Sequence, residues 1–317
     1  MFSLRQAAAA LLTALSLSSL VCAAEAAYPE HEAKVVIPFK PGGATDIIYR
    51  VTSSAAEGTF GASIVPVNMG GAGGVKGARF VKDAPADGYT LLAGHDFLFT
   101  TYYGGLSKFT YQAFEPVCLL TQTPNILTVR EGLPFSDFRG MVEYAKQNPG
   151  KLSITYSPAS TGTLFFEELF RRAGVDKKLF RVVTINGTGP QIRALLGGHV
   201  DIAMGNVPSA LEYVKDGKLK LLGVSADKRL DACPDVPTFR ELGVDFSYAN
   251  NRGIFVVKGT SPAVVEKIAA AYKASLDNPE TVKKIENLGS MAVYMGPAEF
   301  KKFLDDQDVM YKATFAK

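Results

Sequence analysis

Apolar and polar positions follow two rhythms along this chain. Short apolar runs at residues 34–39, 63–67, 89–93, 114–120, 152–156, 181–185, 201–204 and 219–225 read as strands. Between most of them, residues 46–57, 75–82, 136–147, 164–173, 190–196 and 208–215 place apolar side chains at helical spacing. In the segment 163–172, Leu164, Phe165, Leu169 and Phe170 form one stripe, while Glu167, Arg171 and Arg172 point away. Strand alternating with helix predicts an α/β fold with mostly parallel sheets flanked by helices.

Two stretches break the alternation. "NILTVRE", residues 125–131, is a strand that follows a strand with no helix between; "YANNRGIFVVKG", residues 248–259, is an irregular stretch entering an apolar strand. Both read as crossings between two lobes. From Ser261 onward the chain is mainly helical, over residues 262–276, 279–288 and 297 to the end. Each of these helices begins with proline, which the first helical turn tolerates. The expected organisation is a lobe of residues 27–124 plus 254–317, closed by the C-terminal helices, and a second lobe of residues 125–253.

Bulk properties narrow the setting. The chain has 317 residues, enough for one large or two medium domains. Residues 1–26 read as a signal peptide: Arg5 is followed by an uncharged Ala/Leu/Ser-rich run that ends in Ala24-Glu25-Ala26. Val21 before Cys22 fits a lipidation site poorly. No later segment is long and apolar enough to span a bilayer, so a soluble protein exported to the periplasm is expected. A formal net charge of +3 is too small for electrostatic binding of nucleic acid but suits small anions. Beyond the leader only Cys118 and Cys233 remain, 115 positions apart, and free, partly buried thiols are expected.

The candidate chemistry lies in loops between strand and helix. In "VVIPFKPGGATDII" a strand breaks into Pro41, Gly42 and Gly43, then Ala44, Thr45 and Asp46 begin a helix. A helix start leaves backbone N–H groups unpaired, glycine lets a ligand approach the backbone, and the helix dipole favours an anion. Thr45 and Asp46 stand where a cap would stand, and Asp46 can also fix the loop or hold waters. "TYSPASTGTLFF" repeats the design with Ser157, Ser160, Thr161, Gly162 and Thr163, and Asn206 lies between a strand and a proline-led helix. In open α/β sheets the ligand lies beyond the carboxyl ends of strands, so the three loops can share one site; plain capping is the alternative for each. A valine at Gly42 or Gly162 is expected to block an anion while leaving the fold intact. The glycine cluster at residues 68–78 fails both the dinucleotide spacing, with Lys76 where glycine is needed, and the P-loop pattern. It reads as an anion-friendly turn.

Several blocks in order, "YPEHEAKVVIPFKPGGATD", "VNMGGAGGVKGARFVKDAPADGYTLLAG", "LLGGHVDIAMGNVPSALEYVKDGKLKLLGVSADKR" and "PDVPTFRELG", resemble the solute-binding proteins of tripartite tricarboxylate transporters, the Bug/TctC family. The resemblance runs from Tyr28 to about Lys317. It implies a type II-like periplasmic-binding-protein fold, two lobes closing like a Venus flytrap on a small carboxylate. It also implies membrane permease subunits as partners, a monomer and no cofactor. By that resemblance the residues of Pro41–Asp46 and Ser157–Thr163 hold one carboxylate end through backbone amides and waters, with Phe39 at the entrance.

Three positions depart from the family pattern. His95 and Asp96, followed by Phe97 and Phe99, stand where small polar residues are usual. They are either polar residues beside core aromatics or readers of a distal ammonium or hydroxyl. Asn251 replaces a frequent Trp before Arg252-Gly253, where Arg252 either pairs a second carboxylate bidentately or forms a salt bridge that supports the hinge. Phe165 and Phe166 replace a frequent His, so that helix contributes packing.

Catalysis is not expected. The only histidines are His31, His95 and His199, scattered without triad or zinc-site spacing, and no G-x-S-x-G elbow occurs. The alternative within the same fold is a ligand sensor that feeds a signalling partner.

Overall fold

The computed structural model describes residues 28–315 except 43, 158, 159 and 186. The leader segment and Gly43 therefore lie outside the described residues. Two sheets form the frame. The first contains β1 (Ala33–Ile37), β2 (Ile64–Asn68), β3 (Thr90–Gly94), β4 (Phe114–Pro124), β10 (Ala249–Val257) and β11 (Met291–Met295), in the spatial order β11-β4-β10-β3-β1-β2. The second contains β5 (Ile126–Arg130), β6 (Ser153–Tyr156), β7 (Arg181–Thr184), β8 (Ile202–Gly205) and β9 (Leu219–Val224), in the order β7-β6-β8-β5-β9.

Helices cover both faces of the first sheet. On one face α1 (Ala44–Phe60) and α8 (Pro262–Asp277) bury Tyr49, Ala56, Phe60, Ile268 and Tyr272 against Val35, Leu91 and Ile254. On the other lie α2 (Val75–Lys82), α3 (Phe97–Tyr103) and α10 (Pro297–Phe315). There Phe97, Phe99, Phe300 and Tyr311 share one apolar cluster with Phe165, Phe246 and Tyr248, so the core runs from one sheet to the other. In the second sheet, α4 (Phe138–Gln147) and α5 (Thr161–Arg172) join that shared cluster. The opposite face is closed by α6 (Thr188–Leu196) and α7 (Val207–Lys215) over Ile126, Ala203 and Val224. The remaining helix, α9 (Pro279–Asn287), leads into β11. No described helix is long and apolar enough to cross a membrane.

Parallel pairing does not dominate. β1 pairs in parallel with β2 and β3, and β6 with β7 and β8. β10 runs antiparallel to β3 and β4, and β5 antiparallel to β8 and β9. The cause is topological: β5 and β10 each enter their sheet from the other one, so they run against the strands built by strand–helix–strand units. Two elements fall outside the sequence reading. The seven-residue helix α3 is too short and too uniformly buried for its periodicity to show, and β11 lies in the gap between the second and third expected C-terminal helices. The crossings themselves are tied together. The Asn125 amide donates to Ser225 Oγ at 2.9 Å, the Ser225 amide donates back to the Asn125 carbonyl at 2.9 Å, and Ser225 Oγ also bonds the Tyr248 carbonyl.

Candidate functional site

The loop from β1 into α1 is held by charge. Gly42 adopts φ of +85°, which residues with a Cβ rarely take, and a Cβ there would meet nothing within 4 Å. Glycine is needed for the backbone path and not for space. The Gly42 amide donates to Asp46 Oδ2 at 3.0 Å, while Asp46 Oδ1 accepts from Asn68 Nδ2 at 2.8 Å and Arg50 Nε at 3.0 Å. Asn68 Nδ2 also reaches the Phe39 carbonyl at 3.1 Å. Burial pushes the Asp46 carboxyl up, but the Gly42 amide, Asn68 and Arg50 outweigh it and hold the group below its ordinary value. Asp46 thus fixes the turn, and the Gly42 amide is occupied. Reading residues 68–78 as a turn overlooks Asn68; the available signal was a polar residue ending the strand next to β1.

The exit of β3 lies beside this loop. The His95 ring stacks on Phe39 with centroids 4.8 Å apart, and its Nδ1 accepts from the Phe97 amide at 3.1 Å. Burial, aided by the Arg252 charge, pushes His95 down to about 3, so the ring is neutral at physiological pH. Asp96 is buried. Its Oδ2 accepts from the Asn251 amide at 2.6 Å, and its Oδ1 from Asn251 Nδ2 at 3.0 Å and the Tyr311 hydroxyl at 3.1 Å. Burial raises the Asp96 carboxyl against these bonds. Both of its oxygens are therefore engaged by β10 and α10.

Arg252 is 3% exposed and sits beneath the start of α1. Its Nε donates to Thr45 Oγ1 at 3.0 Å and its Nη1 to Thr123 Oγ1. Among the described residues it forms no ion pair, so the expected alternative of a salt bridge supporting the hinge is not what this arginine makes. Tyr49, whose hydroxyl lies between the carbonyls of Gly94 and Gly253, fixes α1 to the β3–β10 junction. Neither Tyr49 nor Thr123 stands out in sequence, because each lies inside a regular apolar element.

The loop from β6 into α5 is neutral. Ser160 caps the helix: its Oγ accepts from the Thr163 amide at 3.4 Å and donates to the Ser157 carbonyl at 2.6 Å, which Thr163 Oγ1 also reaches at 2.9 Å. Ser157 Oγ bonds the Ile185 carbonyl at 3.2 Å and accepts from the Gly187 amide at 3.3 Å, joining the loops that follow β6 and β7. A Cβ on Gly162 would lie 3.1 Å from Tyr156 Cβ and 3.4 Å from Ser160 Oγ. A side chain there fits only if these neighbours shift slightly, so packing within its own loop favours glycine. Phe165 and Phe166 are fully buried. Asn206 caps α7, with its Oδ1 accepting from the Ser209 amide at 3.2 Å.

Phe39, Thr45, His95, Asp96 and Arg252 thus form one connected group at the carboxyl end of the first sheet, with Pro41 and Gly42 exposed at its rim and Ala44 opening α1. Ser157, Ser160, Thr161, Gly162 and Thr163 form a second group at the carboxyl end of β6. The two sides are joined because α3 and α5, which start from these loops, pack against each other. α10 also touches α5, where Thr314 Oγ1 donates to Glu168 Oε1 at 2.8 Å. Asn206 is engaged with its own helix. Among the described residues, no group of three or more His, Cys, Asp or Glu is placed to hold a metal ion.

Residues 48–316 match the family described as TctC, tripartite tricarboxylate transporter family receptor. A Cupriavidus necator relative, named UPF0065 protein in gbd 5'region, is 32% identical over 325 positions, covering 100% of this chain and 96% of that protein. Among solved structures, MatC from Rhodopseudomonas palustris with bound malate is 29% identical with a TM-score of 0.78, over 91% of this chain and 100% of that one. R. palustris Rpa4515 with adipate is 26% identical with a TM-score of 0.79, over 91% and 98%.

Proposed function

Because the chain belongs to the tripartite tricarboxylate transporter receptor family, a family of periplasmic solute-binding proteins, we propose that it captures a small carboxylate between its lobes. It then delivers that ligand, unchanged, to the membrane subunits of a tripartite tricarboxylate-type transporter. The observation that carries this reading is Arg252. A buried guanidinium bonded only to hydroxyls lies under the first turn of a 17-residue helix, so a cation and a helix start favour an anion at one place. An anionic ligand supplies the partner that a buried charge otherwise lacks.

In this reading the Pro41–Thr45 turn and the residues Ser157, Ser160, Thr161, Gly162 and Thr163 grip one carboxylate from opposite lobes, with Phe39 and His95 lining the approach and Asn206 at the border. Asp46 and Asp96 act from behind, by fixing the turn and Asn251. Engagement of both lobes favours closure about the two crossings, and the closed form is what the membrane partner recognises. The malate and adipate held by MatC and Rpa4515 support a small dicarboxylate as the ligand class. Residues 1–26 serve as the export leader that such a role requires.

A thermal-shift screen of mono-, di- and tricarboxylates, amino acids and aromatic acids tests this. A true ligand at 100 times its dissociation constant adds about 2.7 kcal/mol of stability. A screen in which carboxylates raise the melting temperature no more than uncharged amides of the same shape would remove the proposal.

A further inference from the structure

Behind the two crossings lies a cavity of about 380 Å³ that the proposed ligand loops do not line. Strand order fixes its position. In the first sheet the crossing strands β4 and β10 stand between β11 on one side and β3 and β1 on the other. In the second sheet β5 stands between β9 on one side and β8 and β6 on the other. The ligand loops leave β1, β3 and β6. The cavity is walled instead by Met291, which opens β11, by Phe303, Gln307 and Met310 of α10, and by Ala226, just after β9. Ser247 and Tyr248, leading into β10, complete the wall, and Gln122 and Asn251 line it from the crossings themselves, bonded to each other at 2.9 Å. Neither Arg252 nor any residue of the two helix-start loops borders it. The Tyr248 and Tyr311 hydroxyls, 2.9 Å apart, tie one wall to α10. Among the described residues the side chains of Ser247 and Gln307 carry no hydrogen bond, so nothing locks those two positions across the cavity.

We propose that this rear cavity sets the balance between open and closed lobes, and through it the affinity for every ligand, without touching any of them. The inference rests on the proposed function, in which a carboxylate is gripped as the lobes close. A rotation about the crossings that draws the α1 and α5 loops together carries β11 and α10 away from the segment after β9, because these lie on the other side of the pivot. The cavity therefore widens as the front closes and narrows as it opens. Side chains placed in it are crowded only in the open form, and crowding in a packed interior costs free energy. Bulk in the cavity thus favours closure. A ligand's apparent dissociation constant is its intrinsic value divided by the competent fraction, so raising that fraction tightens binding. Ligands that meet the same loops gain by the same factor, since the cavity contacts none of them. Ser247 and Gln307, on facing sides and free of partners, are the positions from which that balance is set.

Ser247 is exposed and Gln307 half-buried, so both accept larger side chains. Ser247→Trp and Gln307→Trp, made separately, should shrink the radius of gyration of the ligand-free protein in small-angle X-ray scattering. Titration calorimetry with malate and with adipate, the acids held by MatC and Rpa4515, should give about 10-fold tighter binding of both. The ratio between the two affinities should stay as in the native protein. Ser247→Leu should fall between the native protein and Ser247→Trp, and Ser247→Ala should match the native protein. Val309→Trp adds bulk to α10 at a position 71% exposed and outside the cavity, and it should change neither quantity. A fold merely damaged by substitution loses affinity, so a gain separates a shifted balance from injury. The inference is overturned if both tryptophan variants keep the native radius and affinities, if affinity falls in a folded variant, or if the malate-to-adipate ratio moves. If Gln307→Trp fails to fold, the Ser247 series decides. If the native protein binds neither acid, scattering alone decides the balance between the lobes, and the broader carboxylate screen decides the proposed function separately.

Discussion

The loop entering α1 and the loop entering α5 read alike, each a strand that ends in a turn of glycine and hydroxyl residues before a helix, yet they are held by opposite means. The first is built on charge: Asp46 gathers the Gly42 amide, Asn68 and Arg50. The second contains no carboxylate and closes on itself, with Ser160 and Thr163 both donating to the Ser157 carbonyl. Their glycines differ in the same way. Gly42 is chosen for a left-handed backbone with open space around it, Gly162 for tight contact with Tyr156. Glycine at a helix start therefore has two separate causes, a left-handed backbone in the first loop and close packing in the second.

Valine substitutions give the widest separation between the two. Gly162→Val drives new methyl groups toward Tyr156 and the sheet behind it, and overpacking of this kind costs about 1–3 kcal/mol. Denaturant unfolding should show that loss with or without ligand. Gly42→Val meets no neighbour and pays only the left-handed backbone penalty, about 1–2 kcal/mol, while its side chain projects into the solvent-facing turn. Here the melting temperature should fall less than for Gly162→Val, and carboxylate binding should fall more than that stability loss explains. Equal stability losses, with binding intact in Gly42→Val, would erase the distinction between the loops.

How far the sequence reveals such features depends on whether the cause is local. The strand–helix alternation and the proline-led C-terminal helices are local patterns, and each appears in the structure. Antiparallel pairing of β5 and β10 depends on where the chain has come from, which no window of residues records. The short α3 carries buried residues on every side, so no amphipathic period marks it. In the candidate site, the helix-start loops were legible through glycine and hydroxyl residues. The partners of those loops were not: Asn68, Thr123, Tyr49 and Tyr311 acquire their contacts only when distant segments meet. Arg252 stood out in sequence as a charge inside an apolar strand, but its bond to Thr45, 207 positions away, did not.

The smallest effect is also the cleanest probe of the charged loop. Because the folded Asp46 carboxyl lies below its ordinary value, the folded state binds its proton more weakly than the unfolded chain, whose aspartate titrates near ~3.9. Its stabilisation is complete above that pH and disappears as pH falls through the folded value. Asp46→Asn keeps an acceptor for Gly42 and loses the charge, and Arg50 is half-exposed, so the neutral-pH loss should be only about 1 kcal/mol or less. His95 adds a second acid limb. Its pKa falls from 6.5 to about 3 on folding, so the unfolded chain takes up a proton first and stability declines from pH 6.5 downward. That limb is common to the native protein and Asp46→Asn, and it cancels when one stability profile is subtracted from the other. The difference should therefore stay flat from pH 8 to about 5 and vanish only below ~4. A difference that closes near the histidine range would mean that the charge on Asp46 does not hold the turn, and the contrast with the neutral loop at α5 would lose its physical basis.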